Sequence, residues 1–139
     1  MTLSISIVMP VLNEAAGIVP TLAALAPLRA RGVEVIVVDG GSSDDTVALA
    51  TPWADCVLVF PGGRARQMNA GAARATGEVL LFLHADTQLA AGADEMVLAA
   101  LRAKTGWGRF DVRIDGAPRM LRVVALLMNL RSRWSGIAT

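Results

Sequence analysis

The chain has 139 residues, a length that favours one domain, with 54% hydrophobic residues, 18% charged residues and a mean hydropathy of +0.52. This composition excludes an intrinsically disordered or low-complexity chain. The 13 basic and 12 acidic side chains leave a formal net charge of +1. We therefore expect no nucleic-acid partner, since nucleic-acid affinity depends on neutralising phosphates.

Cysteine content and the N-terminal sequence point to a cellular compartment. The single cysteine, Cys56, excludes an intramolecular disulfide framework and indicates a reducing environment. The N-terminus has no basic region typical of a signal peptide. No apolar stretch reaches the roughly 18 residues of a membrane span. The expectation is a cytoplasmic protein.

Short apolar strands alternate with helical patterns along the chain. The predicted strands cover residues 4–9, 33–38, 56–60 and 79–83, with a looser one at 107–114; the predicted helices cover 14–30, about 44–51, 64–76, 92–103 and 118–133. Pro10 should end the first strand, because proline cannot donate to a ladder. The alternation predicts an α/β fold, with an open, mostly parallel sheet in one domain over residues 1–139.

Polar residues follow three of the predicted strands. Asn13 and Glu14 follow the first strand, Asp39 follows the second, and His84 and Asp86 follow the fourth. Ligands of open α/β sheets bind beyond the carboxyl ends of the strands, so three carboxylates should converge on one edge. Carboxylates repel one another unless a cation or ligand hydroxyls lie between them. The pattern therefore predicts a divalent metal or a ribose at this edge.

Several familiar site motifs are missing from the sequence. The first strand is not followed by Gly-x-Gly-x-x-Gly, and there is no Gly-x-x-x-x-Gly-Lys-Ser/Thr loop. The turn at residues 41–44 lacks the second glycine of a nucleophile elbow. One histidine and one cysteine exclude a zinc cluster built from those residue types.

Four motifs in order within residues 4–87 resemble the family 2 glycosyltransferases, which are inverting enzymes of the GT-A fold. The matching segments are Ile7–Glu14, Val35–Thr46, Asn69–Gly71 with Ala75–Glu78, and Leu81–Thr87 at the family's Asp-x-Asp position. A finer similarity is to bacterial selenodomain-associated transferases, in which His-Ala-Asp replaces Asp-x-Asp and a Gly-Arg-x-x-Gln-x-Asn run resembles residues 63–69. The resemblance implies a GT-A-like, nucleotide-diphospho-sugar transferase fold.

The resemblance also implies roles for individual residues. Glu14 and Asp39 would hold the base and ribose of a nucleotide-sugar donor, and Asp86 would ligate Mg²⁺ or Mn²⁺ bridging the diphosphate, as hard cations prefer. The acceptor is unspecified. The implied donor-binding residues are Pro10, Asn13, Glu14, Asp39, Gly40, Ser42, Arg64, Arg66, Asn69 and His84.

Two positions depart from the family pattern. His84 replaces the first Asp of Asp-x-Asp, and it is interpreted as a ribose donor, a metal ligand or a buried core histidine. Met68 replaces the arginine that precedes the third-motif asparagine. Arg64 or Arg66, about one helical turn upstream, would then contact the phosphates, although both also fit a solvated helix face.

No general base is assigned within this chain. Asp111 and Asp115 are candidates only because they are carboxylates. The resemblance places the base beyond Thr139, so we expect the donor-binding half of a longer enzyme. A non-catalytic nucleotide-binding fragment is the alternative. A nucleotidyltransferase is disfavoured, because residues 10–14 stand where such enzymes have a Gly-rich basic loop.

The segment over residues 118–134, which contains the last predicted helix, has an apolar face flanked by arginines at 119, 122, 131 and 133. Such a helix is typical of peripheral membrane contact, here with the inner face of the membrane. The same face also fits a core surface left without cover. Since large exposed apolar patches promote association, self-association through this helix is the second interpretation.

Overall fold

The computed structural model describes residues 3–103, 107–111 and 120–135. The chain divides into two compact units, Met1–Leu98 and Ala99–Thr139. The first unit contains, in chain order, β1 (Ile5–Val11), α1 (Ile18–Ala23), α2 (Ala26–Ala30), β2 (Glu34–Asp39), α3 (Thr46–Ala50), a 3-10 turn (Thr51–Trp53), β3 (Cys56–Val59), α4 (Arg64–Arg74) and β4 (Val79–Phe82). Helix α5 (Ala93–Arg102) continues into the second unit, which also holds α6 (Met120–Ser135).

The four strands form one sheet in the order β3-β2-β1-β4, with every neighbouring pair parallel. This arrangement confirms the predicted α/β class with a parallel sheet. The strand order reverses at β1, because the chain steps outward to β2 and β3 and then returns to the other side of β1 as β4. Such a reversal point is where open α/β sheets form their ligand crevice.

Both faces of the sheet are covered, because alternate residues of a strand point to opposite sides. On one side, α1 and α2 pack on the larger core cluster, which includes Ile7, Met9, Val35, Val37, Ile18 and Leu22. On the other side, α4 packs on β1 and β2 over Val8, Ile36 and Val38. A Cβ at Gly71 would lie 2.3 Å from Val8 Cγ1, so glycine is required for the close approach of α4.

The prediction that Pro10 ends the first strand is wrong, because β1 continues through Pro10 to Val11. The Val8 carbonyl accepts from the Leu83 N–H, so the backbone groups of Val8 face β4. Pro10 lies two residues further and faces the same side, beyond the last β1–β4 pair at Phe82. Its missing N–H therefore breaks no ladder bond.

The single helix predicted at 14–30 is also wrong, since the segment forms α1 and α2 with a break at residues 24–25. Pro27 lies in the first turn of α2, where proline is tolerated but cannot continue a preceding helix. The loosely alternating strand predicted at 107–114 is absent from the described part, residues 107–111, and its remainder lies outside the described residues. The last predicted helix is confirmed over Met120–Ser135, while positions 118 and 119 lie outside the described residues.

Within the described ranges, no helix combines the length and apolar character needed to cross a membrane.

Candidate functional site at the carboxyl edge of the sheet

The loops that follow β1 and β2 are hydrogen-bonded to each other through Asn13. The Asn13 N–H donates to Ser42 Oγ at 2.8 Å, and Asn13 Oδ1 accepts from the Ser43 N–H at 2.9 Å. Asn13 has φ 54°, a left-handed conformation that asparagine adopts more readily than most residues. The two loops therefore form one connected edge.

A second connection runs through Asp44 and Thr46. The Glu14 N–H donates to the buried Thr46 hydroxyl oxygen at 2.9 Å, and the Ala15 N–H donates to Asp44 Oδ2 at 3.1 Å. The Thr46 hydroxyl donates to Asp44 Oδ1 at 2.5 Å, and this bond lowers the pKa of Asp44 against the opposing effect of desolvation. Sequence reasoning gave these two residues no role in the site, although both lie inside the second motif.

Glu14 itself is half-buried at this edge. Its side chain makes no hydrogen bond to the rest of the described chain, while its backbone is held by Thr46. The carboxylate is thus positioned by its main chain and has unused acceptor oxygens, which suits a ligand hydroxyl or N–H.

The Asp39 carboxylate is 1% exposed and organises its own loop. Oδ2 accepts from the N–H groups of Gly41 and Ser42 at 2.9 and 2.8 Å, and Oδ1 accepts from the Ser42 hydroxyl at 2.5 Å. Each carboxylate oxygen has more than one acceptor position, so these bonds do not exhaust its capacity. Through these hydrogen bonds the Asp39 carboxylate fixes the conformation of residues 39–42.

Gln67 on α4 holds the ends of β1 and β2 together; sequence reasoning noted it in the run over residues 63–69 but gave it no role. The side chain is buried, and Nε2 donates to the carbonyl oxygens of Val11 at 2.8 Å and Val38 at 2.7 Å. Its position was detectable, because Gln67 and Gly71 lie one helical turn apart on the buried face of α4. A polar amide on such a face needs hydrogen-bond partners.

The start of α4 brings two arginines beside this edge. The Phe60 N–H donates to the Asp39 carbonyl oxygen at 2.7 Å, which joins the segment before α4 to β2. The Arg66 guanidinium carbon lies 5.8 Å from the centre of the Phe60 ring, within the range of a cation–π contact. Arg64 and Asn69 are exposed on the same helix. The N-terminal end of a helix favours anions, and the two arginines strengthen that preference.

His84 and Asp86 are exposed on the turn after β4, while Leu83 and Ala85 are buried. The interpretation of His84 as a buried core histidine is therefore wrong. The Thr87 hydroxyl donates to Asp86 Oδ1 at 3.1 Å. The turn presents one imidazole and one carboxylate to solvent.

The predicted convergence of three carboxylates does not produce a metal cluster. Within the described part of the chain, no group of three His, Cys, Asp or Glu side chains is arranged to hold a metal ion. Asp39 is the last residue of β2 and Asp86 lies in the turn after β4, on opposite sides of β1; two strand spacings amount to about 10 Å. Hard cations in phosphate sites take one or two carboxylates and complete their shell with substrate oxygens. Asp86 fits a cation of that kind, held jointly with a diphosphate.

Comparison with known protein families agrees with this geometry. The model of the family "Glycosyl transferase family 2" matches residues 6–129. An uncharacterized glycosyltransferase of Mycobacterium tuberculosis is 33% identical over 110 residues, covering 76% of this chain and 41% of that protein. A PGL/p-HBAD biosynthesis glycosyltransferase of Mycobacterium bovis is 36% identical over 91 residues, covering 60% of this chain and 36% of that protein. The chain thus spans about two fifths of the length of the curated relatives it matches.

Solved structures give the same fold. Glucosyl-3-phosphoglycerate synthase from Mycobacterium tuberculosis, in complex with Mn²⁺, uridine diphosphate (UDP) and glucosyl-3-phosphoglycerate, is 31% identical with a TM-score of 0.55, over 60% of this chain and 34% of that one. Staphylococcus aureus TarS has a TM-score of 0.64 at 22% identity, over 84% of this chain and 23% of that one. The TarS likeness concerns the fold alone.

Proposed function

The chain belongs to glycosyltransferase family 2, and we propose that residues 3–98 bind the nucleoside diphosphate of a nucleotide-sugar donor. The observation that carries the proposal is the connected edge formed by the loops after β1 and β2. Asn13 and Ser42 join these loops, and Phe60 links them to the start of α4. A preorganised edge of this kind binds a ligand without the added cost of ordering its loops.

The donor contacts divide by chemistry. Glu14 and the loop of Asp39–Ser42 offer acceptors and small polar groups suited to a base and a ribose. Arg64 and Arg66, at the start of α4, offer guanidinium groups suited to phosphate. The proposed set also includes Asn69, which is exposed on α4, and Pro10, which is buried within β1.

Asp86, with His84 beside it, would hold Mg²⁺ or Mn²⁺ together with the donor diphosphate. A bound cation would neutralise the charge that develops on the leaving nucleoside diphosphate. Support comes from the exposed carboxylate of Asp86 and from the similar synthase solved with Mn²⁺ and UDP. The choice between the two metals follows from neither observation.

For the whole protein we propose inverting transfer. The acceptor hydroxyl oxygen forms a bond to the anomeric carbon as the bond from that carbon to the diphosphate oxygen breaks, and a general base takes the hydroxyl proton. Within the described residues no carboxylate is assigned this role. Asp111 is exposed and ion-paired with Arg109 and Arg133, and Asp115 lies outside the described residues. Donor binding is therefore the part of the reaction that these residues support.

Calorimetric titration of UDP, with and without Mn²⁺ or Mg²⁺, tests the proposal. Asp86→Ala should remove the cation-dependent part of the affinity without unfolding the chain, because Asp86 is exposed. Glu95→Ala, which removes an exposed carboxylate on α5, is the matched control and should behave as wild type. Equal UDP affinity with and without cation would contradict the metal assignment, and absence of UDP binding would contradict donor binding. Binding without any sugar transfer by the complete protein would favour a non-catalytic nucleotide-binding role.

A further inference from the structure

We infer that Thr21, on α1, is a positioning residue for the turn that carries His84 and Asp86. The inference rests on the proposed function, because it concerns the side chain proposed to hold the cation. Its basis is a contact between segments 64 residues apart: the Thr21 hydroxyl donates to the Ala85 carbonyl oxygen at 2.7 Å.

This hydrogen bond acts on Asp86 through the backbone. The Ala85 carbonyl belongs to the planar peptide unit that joins Ala85 to Asp86. Fixing its oxygen fixes the plane of that unit, and with it the position of the Asp86 Cα, from which the side chain leaves the main chain. Ala85 is buried while His84 and Asp86 are exposed. The residue anchored by Thr21 therefore faces the core, and the imidazole and carboxylate of the turn face solvent.

The remaining hydrogen bonds of the turn are local. The Thr87 N–H donates to the His84 carbonyl at 3.1 Å, and the Thr87 hydroxyl donates to Asp86 Oδ1 at 3.1 Å. Across the described chain, the Thr21 bond is the one hydrogen bond that joins residues 84–87 to another element. The local bonds set the shape of the turn, and Thr21 sets its place relative to α1 and the sheet.

The chemistry of the Thr21 hydroxyl makes the inference testable by conservative substitution. The hydroxyl also lies 3.1 Å from the Gly17 carbonyl oxygen, but a hydroxyl carries one proton and donates fully to one acceptor at a time. Serine keeps this donor, whereas valine has the shape of threonine without it. Thr51 provides a matched control, because its hydroxyl donates to the Val47 carbonyl at 2.7 Å within its own helical segment and is exposed.

The test is the dependence of UDP affinity on Mn²⁺ concentration, measured by calorimetry on the 139-residue chain. Thr21→Val should raise the Mn²⁺ concentration needed for half-maximal UDP binding by about two- to ten-fold, as expected for one net hydrogen bond. Metal-free UDP affinity should be unchanged, which a general loss of structure would not produce. Thr21→Ser and Thr51→Val should both match wild type. Thr21→Ala removes the same donor and gives the same reading if the valine variant does not fold.

A double-mutant comparison separates positioning from other effects. In an Asp86→Ala background, Thr21→Val should add no further change in cation dependence, because the group that it positions is gone. Equal cation dependence of wild type and Thr21→Val, or an equal additional effect in the Asp86→Ala background, would overturn the inference while leaving the proposed function standing. A wild-type chain that binds no UDP would overturn the proposed function, and this inference with it.

Discussion

The amide of Gln67 lies directly over Gly40, so that a Cβ added at Gly40 would lie 3.1 Å from Gln67 Nε2. The amide cannot move aside cheaply, because the same nitrogen donates to the Val11 and Val38 carbonyls at the ends of the two central strands. The positions of Gly40 and Gln67 thus depend on each other. Together they determine how closely the loop that follows β2 approaches α4.

This relationship predicts the effect of adding one methyl group. Gly40→Ala should destabilise the fold by about 1–3 kcal/mol, the usual cost of overpacking a well-packed site. Gly17→Ala is the control, since a Cβ at Gly17 meets nothing within 4 Å and its φ is −121°. The urea unfolding midpoints of the two variants are compared. Equal midpoints would show that the Gln67 amide moves aside at no cost in stability.

Arg64 and Arg66 should contribute to phosphate binding and not to base binding. Replacing both with Gln removes two guanidinium groups from the start of α4. A hydrogen bond to a charged group contributes about 1.5–3 kcal/mol, so UDP affinity should fall by about ten-fold or more. Affinity for uridine, which lacks phosphate, should not change. Arg74→Gln, at the other end of α4, is the control. A parallel loss of uridine affinity would show that the double variant disturbs the edge as a whole.

The Asp55–Arg29 ion pair predicts a pH dependence of stability. The hydrogen bond from Arg29 lowers the pKa of Asp55 below its ordinary value of 3.8, against the opposing effect of desolvation. A carboxyl whose pKa is lower in the folded state stabilises the fold above its unfolded pKa, and this stabilisation is lost as the pH falls through the folded pKa. Asp55→Asn should therefore lower the urea midpoint at pH 7, and its difference from wild type should shrink below about pH 3.8. If the difference in urea midpoint between Asp55→Asn and wild type stays constant down to pH 2.5, the loss of stability comes from packing and not from the ion pair.

Helix α6 exposes an apolar stripe at helical spacing, formed by Val123, Leu126, Leu127 and Leu130. We expect this stripe to pair with a second copy of the chain. The neighbouring arginines 109 and 133 are already paired with Asp111, which weakens their attraction to anionic lipid. Leu126→Glu together with Leu130→Glu should lower the mass measured by light scattering, whereas Leu49→Glu, an exposed leucine on α3, should not. Binding of wild type to anionic vesicles, with a monomeric mass in solution, would favour a membrane surface instead.

The parts of the fold that follow from short-range pattern were predictable. The four strands and the placement of Asn13, Asp39 and Asp86 at their carboxyl ends follow from apolar runs that stop at polar residues. Contacts between distant segments were not predictable, because the periodicity of the sequence carries no information about them. The bonds of Gln67 to two strand ends and of Thr21 to Ala85 belong to this second group.

Errors at the prolines have a similar origin. The prediction that Pro10 ends β1 is wrong because the cost of its missing N–H depends on whether β4 still lies alongside at that position. Pro27 falls inside the single helix predicted at 14–30, but it lies in the first turn of α2 and cannot continue α1. The sequence predicts an Asp39 carboxylate directed toward a ligand, whereas its bonds to residues 41 and 42 depend on the folded shape of the loop.

We propose that the carboxyl edge of the sheet binds a nucleoside diphosphate together with a divalent cation. The most direct test is an amide NMR spectrum of the ¹⁵N-labelled chain with UDP and substoichiometric Mn²⁺, since the paramagnetic ion broadens nearby signals. We expect selective broadening at residues 84–87, with lesser effects at 13–14, 40–42 and 63–66, and none of this pattern in Asp86→Ala. Broadening centred elsewhere, or the same pattern in Asp86→Ala, would contradict it.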